Sequence, residues 1–312
     1  MDIVQTEPQS NMPVSAELTP ELTRARKSQG RLIFERFIRN KVAVAGFVFL
    51  VIMSALALLA PVITHQTAHF DPANHPNLDI ALVGPSLAHP LGTDALGRDV
   101  LARLLFGARV SLEVGIFSMI VSLIFGLVIG SLAGYYGGWI DAVMMRITDA
   151  FLSTPLYLVL FVLSIAFNNG KVSTVVILIG VLSWASAARI VRSEFLSLKE
   201  REFLLAARTL GASDLRLMFA HILPNAAGPI LVTVTLLIGN NIITESVLSF
   251  FGFGLQPPQA SWGTMLNDSQ SYFVTDPLLL YAPLLSIVLA VLSFNLMGDG
   301  LRDALDPYMT QR

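Results

Sequence analysis

The chain contains no cysteine. That excludes a disulfide framework and a thiolate metal site, and it leaves the redox compartment unmarked. Charge is scarce too, at 13% of the 312 residues, where a soluble globular chain carries about 25%. A net charge of −2 supplies no basic footprint for nucleic acid. There is no G-x-x-x-x-G-K-[ST], and of the four lysines only Lys171, in "NNGK", follows a glycine. The loop that cradles a nucleotide's phosphates therefore cannot come from this chain. HExxH, GxSxG and paired-carboxylate clusters are missing as well, which removes the usual constellations of a membrane hydrolase.

Apolar sequence fills the space that charge leaves. Hydrophobic residues make up 54% of the chain, and the mean hydropathy is +0.67. Length alone would suggest two ordinary domains, but with a bilayer as solvent the expected unit is one helical bundle. Six runs stand out: "VAVAGFVFLVIMSALALLAPVI" (42–63), "VGIFSMIVSLIFGLVIGSLAGYY" (114–136), "AFLSTPLYLVLFVLSIAF" (150–167), "VSTVVILIGVLSWASAA" (172–188), "AAGPILVTVTLLIGNNIIT" (226–244) and "LLLYAPLLSIVLAVLSFNLMG" (278–298). They are discrete and too long for strands, so an all-α membrane protein with six transmembrane helices is expected rather than a barrel. The first run starts after residue 41 and lacks a small-residue cleavage site, so it reads as a span and not as a signal peptide. Pro155 and Pro283, inside runs three and six, are expected to kink their helices.

Lys and Arg in the connections set the orientation. With the N-terminus inside, sixteen of the twenty fall in inner segments, and only Arg98, Arg103, Arg109 and Lys171 fall outside. Both ends are thus expected in the cytoplasm. Residues 1–30 read as a disordered tail, with acids and no base before Arg24. Residues 31–63 read as an interfacial helix and the first span, the bases of "RLIFERFIRNK" lying near anionic headgroups. An extracytoplasmic loop (64–109), a five-helix core (110–300) and a cytoplasmic tail (301–312) complete the chain. Asp99 and Arg103 are spaced for an i,i+4 pair. Gly126, Gly130 and Gly134 share one helical face, suited to close packing either within the chain or against a partner.

One inner connection is unlike the rest: "EFLLAARTLGASDLRLMFAHILPN" (202–225). Ala206, Ala207 and Leu210 favour helix, and Gly211 suits a C′ position with φ > 0. Ser213 can N-cap a second helix opening at Asp214, which Pro224 ends or redirects into the fifth span. The expected product is a helical hairpin at 200–225 with small residues at its bend, where a partner's surface can approach closely. Charged residues such as Glu202 and Asp214 would set the register.

This stretch resembles the cytoplasmic "EAA" loop of ABC-importer permeases, in which Glu-Ala-Ala, three residues, Gly and nine residues precede Ile-x-Leu-Pro. Ala206, Ala207, Gly211, Leu223 and Pro224 fall in those places, while Leu205 stands where the motif has Glu and His221 where it has Ile. "HPLGTDALGRDVLARLLFGARVSL" (89–112), "AGYYGGWID" (133–141), "ARIVRSEFLSLKEREF" (188–203), "GFGLQPPQASWGTML" (252–266) and "FNLMGDGLRDALDP" (294–307) are similar to the dipeptide/oligopeptide/nickel permease subfamily, DppC/OppC type. The resemblance implies a type I importer permease that pairs with a homologous permease, two cytoplasmic ATPases and an extracytoplasmic binding protein. ATP and Mg would be handled by the ATPases, so the chain is not expected to be an enzyme or to bind a cofactor.

By the same resemblance, Glu202, Ala206, Ala207, Leu210, Gly211, Ser213 and Asp214 couple the chain to an ATPase. Asn240, Asn241 and Glu245 either line the pathway near its outer gate or, for Glu245, sit beyond the hydrocarbon in water. Arg98, Asp99, Arg103 and Trp262 are expected on the rim that receives the binding protein, Trp262 being alternatively an interfacial aromatic. His65, His69, His75 and His89 read as loop histidines more readily than as a metal site. The implied cargo is a short peptide, with nickel chelates, glutathione or another small solute as alternatives. An ion-coupled secondary transporter is the rival of another class, disfavoured by the scarcity of charge within the spans.

Overall fold

Inside hydrocarbon every backbone N–H and C=O must find its partner within the segment itself, and helices achieve this at any length. The computed structural model describes residues 29–64, 76–167 and 169–305. The N-terminal tail through residue 28, His65, His69, His75 and residues 306–312 lie outside them. The described residues are mostly helical; 76–99 is largely irregular, with one short 3-10 turn at Leu78–Ile80 and an isolated β-bridge between Thr93 and Asp99.

The helices are α1 (Gln29–Arg39), α2 (Lys41–Leu58), α3 (Ala60–Ile63), α4 (Val100–Tyr136), α5 (Gly138–Ser153), α6 (Leu156–Phe167), α7 (Val172–Leu182), α8 (Trp184–Lys199), α9 (Glu202–Thr209), α10 (Asp214–Arg216), α11 (Leu223–Phe250), α12 (Trp262–Ser269) and α13 (Leu278–Leu305). A π-helical turn over Leu217–Ile222 joins α10 to α11. Among the described residues, four helices are long and apolar enough to cross a membrane: α2, α4, the continuous run Asp214–Phe250, and α13. The pairs α5–α6, bent by 85°, and α7–α8, bent by 46°, each pass the same test together. The chain is thus an all-α, multi-pass membrane fold with four to six spans.

Three departures from the sequence pattern have local causes. α4 begins at Val100, well before the apolar run, because Asp99 caps it: its Oδ1 accepts the Ala102 N–H at 2.7 Å. The expected third span is broken at Thr154 and Pro155, where the ring removes a helical donor and turns the chain. Pro224 neither ends nor redirects its helix. The wider π turn immediately before it accommodates a ring that would otherwise press on the Ala220 carbonyl one turn back.

α4 is the helix on which the others assemble. A Cβ placed on Gly126, Gly130 or Gly134 would lie 2.8 Å from Ala187 Cβ, 2.5 Å from the Ala188 carbonyl oxygen and 2.6 Å from Phe195 Cβ. The glycine stripe therefore serves packing within the chain, against α8. On another face, Ser118 and Ser122 donate to the Val176 and Gly180 carbonyls of α7 at 3.1 and 3.0 Å. Asn40 caps α2 and its Nδ2 donates to Asp303 at 3.4 Å. This joins the α1–α2 junction to the C-terminal end of α13, whose Leu305 lies beside Gly228, just after the 200–225 hairpin. The outward faces of α2 and α13 present Phe47, Val51, Leu285 and Val288, as surfaces bathed in lipid should.

Gly130→Ala is expected to force α4 away from the α8 backbone and to cost about 1–3 kcal/mol. A lower thermal midpoint in detergent checks this; an unchanged midpoint would contradict the packing described.

Candidate functional site

The hairpin forms as a complete helix-stop, turn and restart. α9 ends at Thr209 with Leu210 as its C-cap, and Gly211 takes φ +84°, a left-handed value that costs a residue with a Cβ about 1–2 kcal/mol. The Gly211 N–H reaches the Arg208 carbonyl at 3.0 Å, and the Ala212 N–H reaches Ala207 at 3.1 Å. These are the two reverse bonds of a Schellman motif, and they satisfy carbonyls the ending helix leaves open. Ser213 departs from expectation. It occupies the N-cap position, but its side chain accepts no capping bond; the positive helix start is met instead by the Asp214 carboxylate in the first turn.

Beneath the bend, Leu204, Leu217, Met218 and Ile222 are buried in one cluster with Tyr135, Val191 and Phe195. Above it the surface is open. Glu202, Ala206, Gly211, Ser213 and Asp214 are exposed, Ala207 is half-buried, and Leu210 is 88% exposed. Phe203, Leu205, Leu215 and Phe219 are also exposed large hydrophobics. Five large apolar side chains are thus left uncovered on one short polar element. Sequence reasoning missed Tyr135, which holds the hairpin's base: its hydroxyl donates to Asp214 Oδ1 at 2.5 Å and accepts from Arg208 Nη2 at 3.1 Å. The tyrosine pair in "AGYYGGWID" was its only signal.

The opposite end of the bundle is built differently from expectation. Arg98 and Arg103 are buried, at 8% and 3% exposure, and do not form an open rim. Arg98 Nε and Arg103 Nη1 donate to Asp94 Oδ2 at 2.7 and 2.6 Å, and their Nη2 atoms reach Asp268 Oδ2 at 3.0 and 2.9 Å. The i,i+4 pair of Asp99 with Arg103 is absent: Arg103 is taken by Asp94 and Asp268, while one oxygen of Asp99 accepts the Ala102 N–H. Asp99 Oδ2 instead lies 2.8 Å from His89 Nδ1. A cavity of about 120 Å³ adjoins the cluster, lined in part by Asp94, Arg98, Arg103, Asp268 and Met265. Burial raises the Asp268 carboxyl above the ordinary carboxylate range; Arg98 opposes the rise and Asp94 adds to it.

Trp262 is 1% exposed and its indole donates to the Leu104 carbonyl at 3.2 Å. It is a core residue joining α12 to α4, neither a rim contact nor an interfacial aromatic. Glu245 is likewise enclosed, at 0% exposure, accepting from Ser111 Oγ at 3.1 Å and Ser249 Oγ at 2.8 Å. It therefore faces neither a cavity nor water within this chain, since serines from α4 and α11 replace its hydration. Asn241 is buried and Asn240 exposed, so the three do not share a surface. Among the described residues, no three His, Cys, Asp or Glu side chains stand close enough to hold a metal ion.

The comparisons accord with this architecture. Residues 126–311 match the family of binding-protein-dependent transport system inner membrane components, and residues 28–96 match the N-terminal TM domain of oligopeptide transport permease C. The glutathione transport system permease protein GsiD of Pectobacterium atrosepticum is 42% identical over 277 residues, spanning 89% of this chain and 90% of the relative. The dipeptide permease DppC of Alkalihalophilus pseudofirmus is 40% identical, spanning 90% and 91%. The oligopeptide permease OppC of Bacillus subtilis is 40% identical, spanning 87% of each. Among solved structures, the inward-facing MetNI methionine ABC transporter superposes with a TM-score of 0.50 at 18% identity, covering 65% of this chain and 96% of that one; this bears on the fold alone. The chain belongs to the permease subunits of the peptide, nickel and glutathione ABC importers.

Arg103→Ala is expected to leave Asp94 and Asp268 short of a buried counter-ion and to cost on the order of 3 kcal/mol. Thermal denaturation in detergent reads it, with exposed Arg146→Ala as the neutral control; equal midpoints for the two variants would show the cluster to be energetically idle.

Proposed function

We propose that this chain is one of two homologous permeases in an ATP-driven importer of short peptides. It would cross the membrane six times with both ends in the cytoplasm, each bent pair, α5–α6 and α7–α8, counting as one span. The hairpin at 200–225 is the coupling element and seats in a groove of a cytoplasmic ATPase. The observation that carries this reading is the hairpin's division into a buried base and an open apolar bend, with Leu210 88% exposed at its tip. A helix that exposes a large hydrophobic beside small residues is built to be covered.

Ala206, Ala207, Leu210 and Gly211 form the docking bend, flanked by Glu202, Ser213 and Asp214. When two ATPases close around ATP and Mg, the two hairpins of the permease pair are drawn together and the shared cavity turns outward. A substrate-binding protein delivers the cargo at the end of the bundle that carries α12. Glutathione is the second reading for the cargo, favoured by the 42% identity to GsiD. Glutathione and short peptides share amide and carboxylate groups, so one pathway chemistry serves both.

Affinity purification of the chain in mild detergent, with mass spectrometry of its companions, tests the assignment. A second multi-span permease and ABC ATPases are expected. Gly211→Val, strained at φ +84°, is expected to reduce ATPase recovery roughly tenfold, equivalent to about 1.4 kcal/mol, while the paired permease stays bound. Undiminished ATPase recovery from the variant would remove the hairpin from the coupling role. An active assembly without any ATPase would remove the importer reading itself.

A further inference from the structure

The hairpin's own bonds do not fix the angle between its arms. The reverse hydrogen bonds at the bend end with the Ala212 N–H, and the next helix begins independently at Asp214. Arg208, in the last turn of the first arm, and Asp214, at the start of the second, stand 3.8 Å apart and about half exposed. An ion pair so placed is weak in water. The stronger tie comes from outside the hairpin, from Tyr135 at the end of α4.

Tyr135 is 3% exposed, its ring packed in the cluster that includes Phe195, Leu204 and Leu217. Tyr136 meets it edge-on at 5.2 Å, and Lys199 Nζ and the Arg208 guanidinium lie 5.7 and 5.9 Å from its ring centroid. The ring is thus held from several sides, while its hydroxyl bonds both arms at once: Asp214 at 2.5 Å and Arg208 at 3.1 Å. Hydrogen bonds to ionised groups are about twice as strong as neutral ones, and a preplaced hydroxyl loses little freedom in making them. At its other end the same helix holds α12 through Trp262 and Leu104, and mid-way it meets α7 through Ser118 and Ser122.

We infer that Tyr135 is a positioning residue that makes the hairpin move as one body with α4. A displacement of the bend is then delivered along α4 to the α12 end, as well as along α11, which the hairpin enters directly. Without the hydroxyl the first arm can yield while the second moves, and ATP-driven closure is spent in the hairpin. This rests on the coupling role proposed for the hairpin.

The test uses the whole transporter, with its partner permease and ATPases, in proteoliposomes carrying radiolabelled dipeptide and its binding protein. Tyr135→Phe keeps the ring and removes the bridge. Assembly and ATP hydrolysis are expected to match the wild type, while dipeptide transported per ATP falls roughly three- to tenfold, the range over which such changes alter coupling. Arg208→Lys keeps a cationic donor for the hydroxyl and is expected to stay near the wild-type ratio; Arg208→Ala is expected to fall with Tyr135→Phe. If Tyr135→Phe does not assemble, the two Arg208 variants, at an exposed position, decide the matter. A wild-type ratio in Tyr135→Phe, or Arg208→Lys failing as badly as Arg208→Ala, overturns the inference. A wild-type chain that hydrolyses ATP without any ATP-dependent uptake overturns the proposed function instead.

Discussion

The approach of α4 to α8 sets the rest of the molecule. Three glycines a turn apart bring two backbones so close that a methyl group at Gly130 would lie 2.5 Å from the Ala188 carbonyl oxygen. In lipid there is no hydrophobic gain from pressing two apolar helices together, so contact must come from shape and dispersion, and small residues permit it. With α8 fixed to α4, the C-terminal end of α8 leads directly into α9, and the base of the hairpin lands on the last turn of α4. The position of the hairpin follows from three absent side chains some distance away in sequence.

The two ends of α4 are secured by opposite chemistry. At one end Asp94, Arg98, Arg103 and Asp268 form a cluster of two cations and two anions, largely withdrawn from water. Such a cluster gains little net energy over apolar packing, yet it punishes any arrangement that leaves one member unpaired. It therefore specifies how α12 sits against the start of α4 more than it adds stability. At the other end the contacts are exposed pairs gathered around one buried ring, an arrangement that opens and closes at lower cost. One end is suited to holding a shape and the other to yielding.

The helices and the hairpin were legible in the sequence because each is a local pattern. Apolar runs of span length, Gly211 after a helix-forming stretch and Asp214 at a helix start all act within a turn or two of themselves. The family was legible for the same reason, through several motifs in order. What escaped were long-range pairings: Arg103 with Asp268, Trp262 with Leu104 and Tyr135 with Asp214 are separated by 165, 158 and 79 residues. Spacing rules carry no information at that range. The expected Asp99–Arg103 pair shows the cost of using only local rules, since Asp94 and the distant Asp268 hold Arg103, and the cap and His89 hold Asp99. Glu245 escaped differently: a charge beside an apolar run suggests a boundary, and only the tertiary meeting of Ser111 and Ser249 shows it enclosed.

The π turn over Leu217–Ile222 has a consequence for phase. Met218, Ile222, Ala226 and Ile230 are all buried in the hairpin's cluster, a strict repeat of four. An ordinary helix of about 3.6 residues per turn would carry such a row sideways around its barrel by roughly a ninth of a revolution at each step. One under-wound turn absorbs part of that drift, so a single flank of the helix stays seated from the hairpin into the bilayer. The segment reconciles two helical phases: the hairpin's second arm and the span run on as one continuous helical stretch, Asp214–Phe250, while the same flank stays buried.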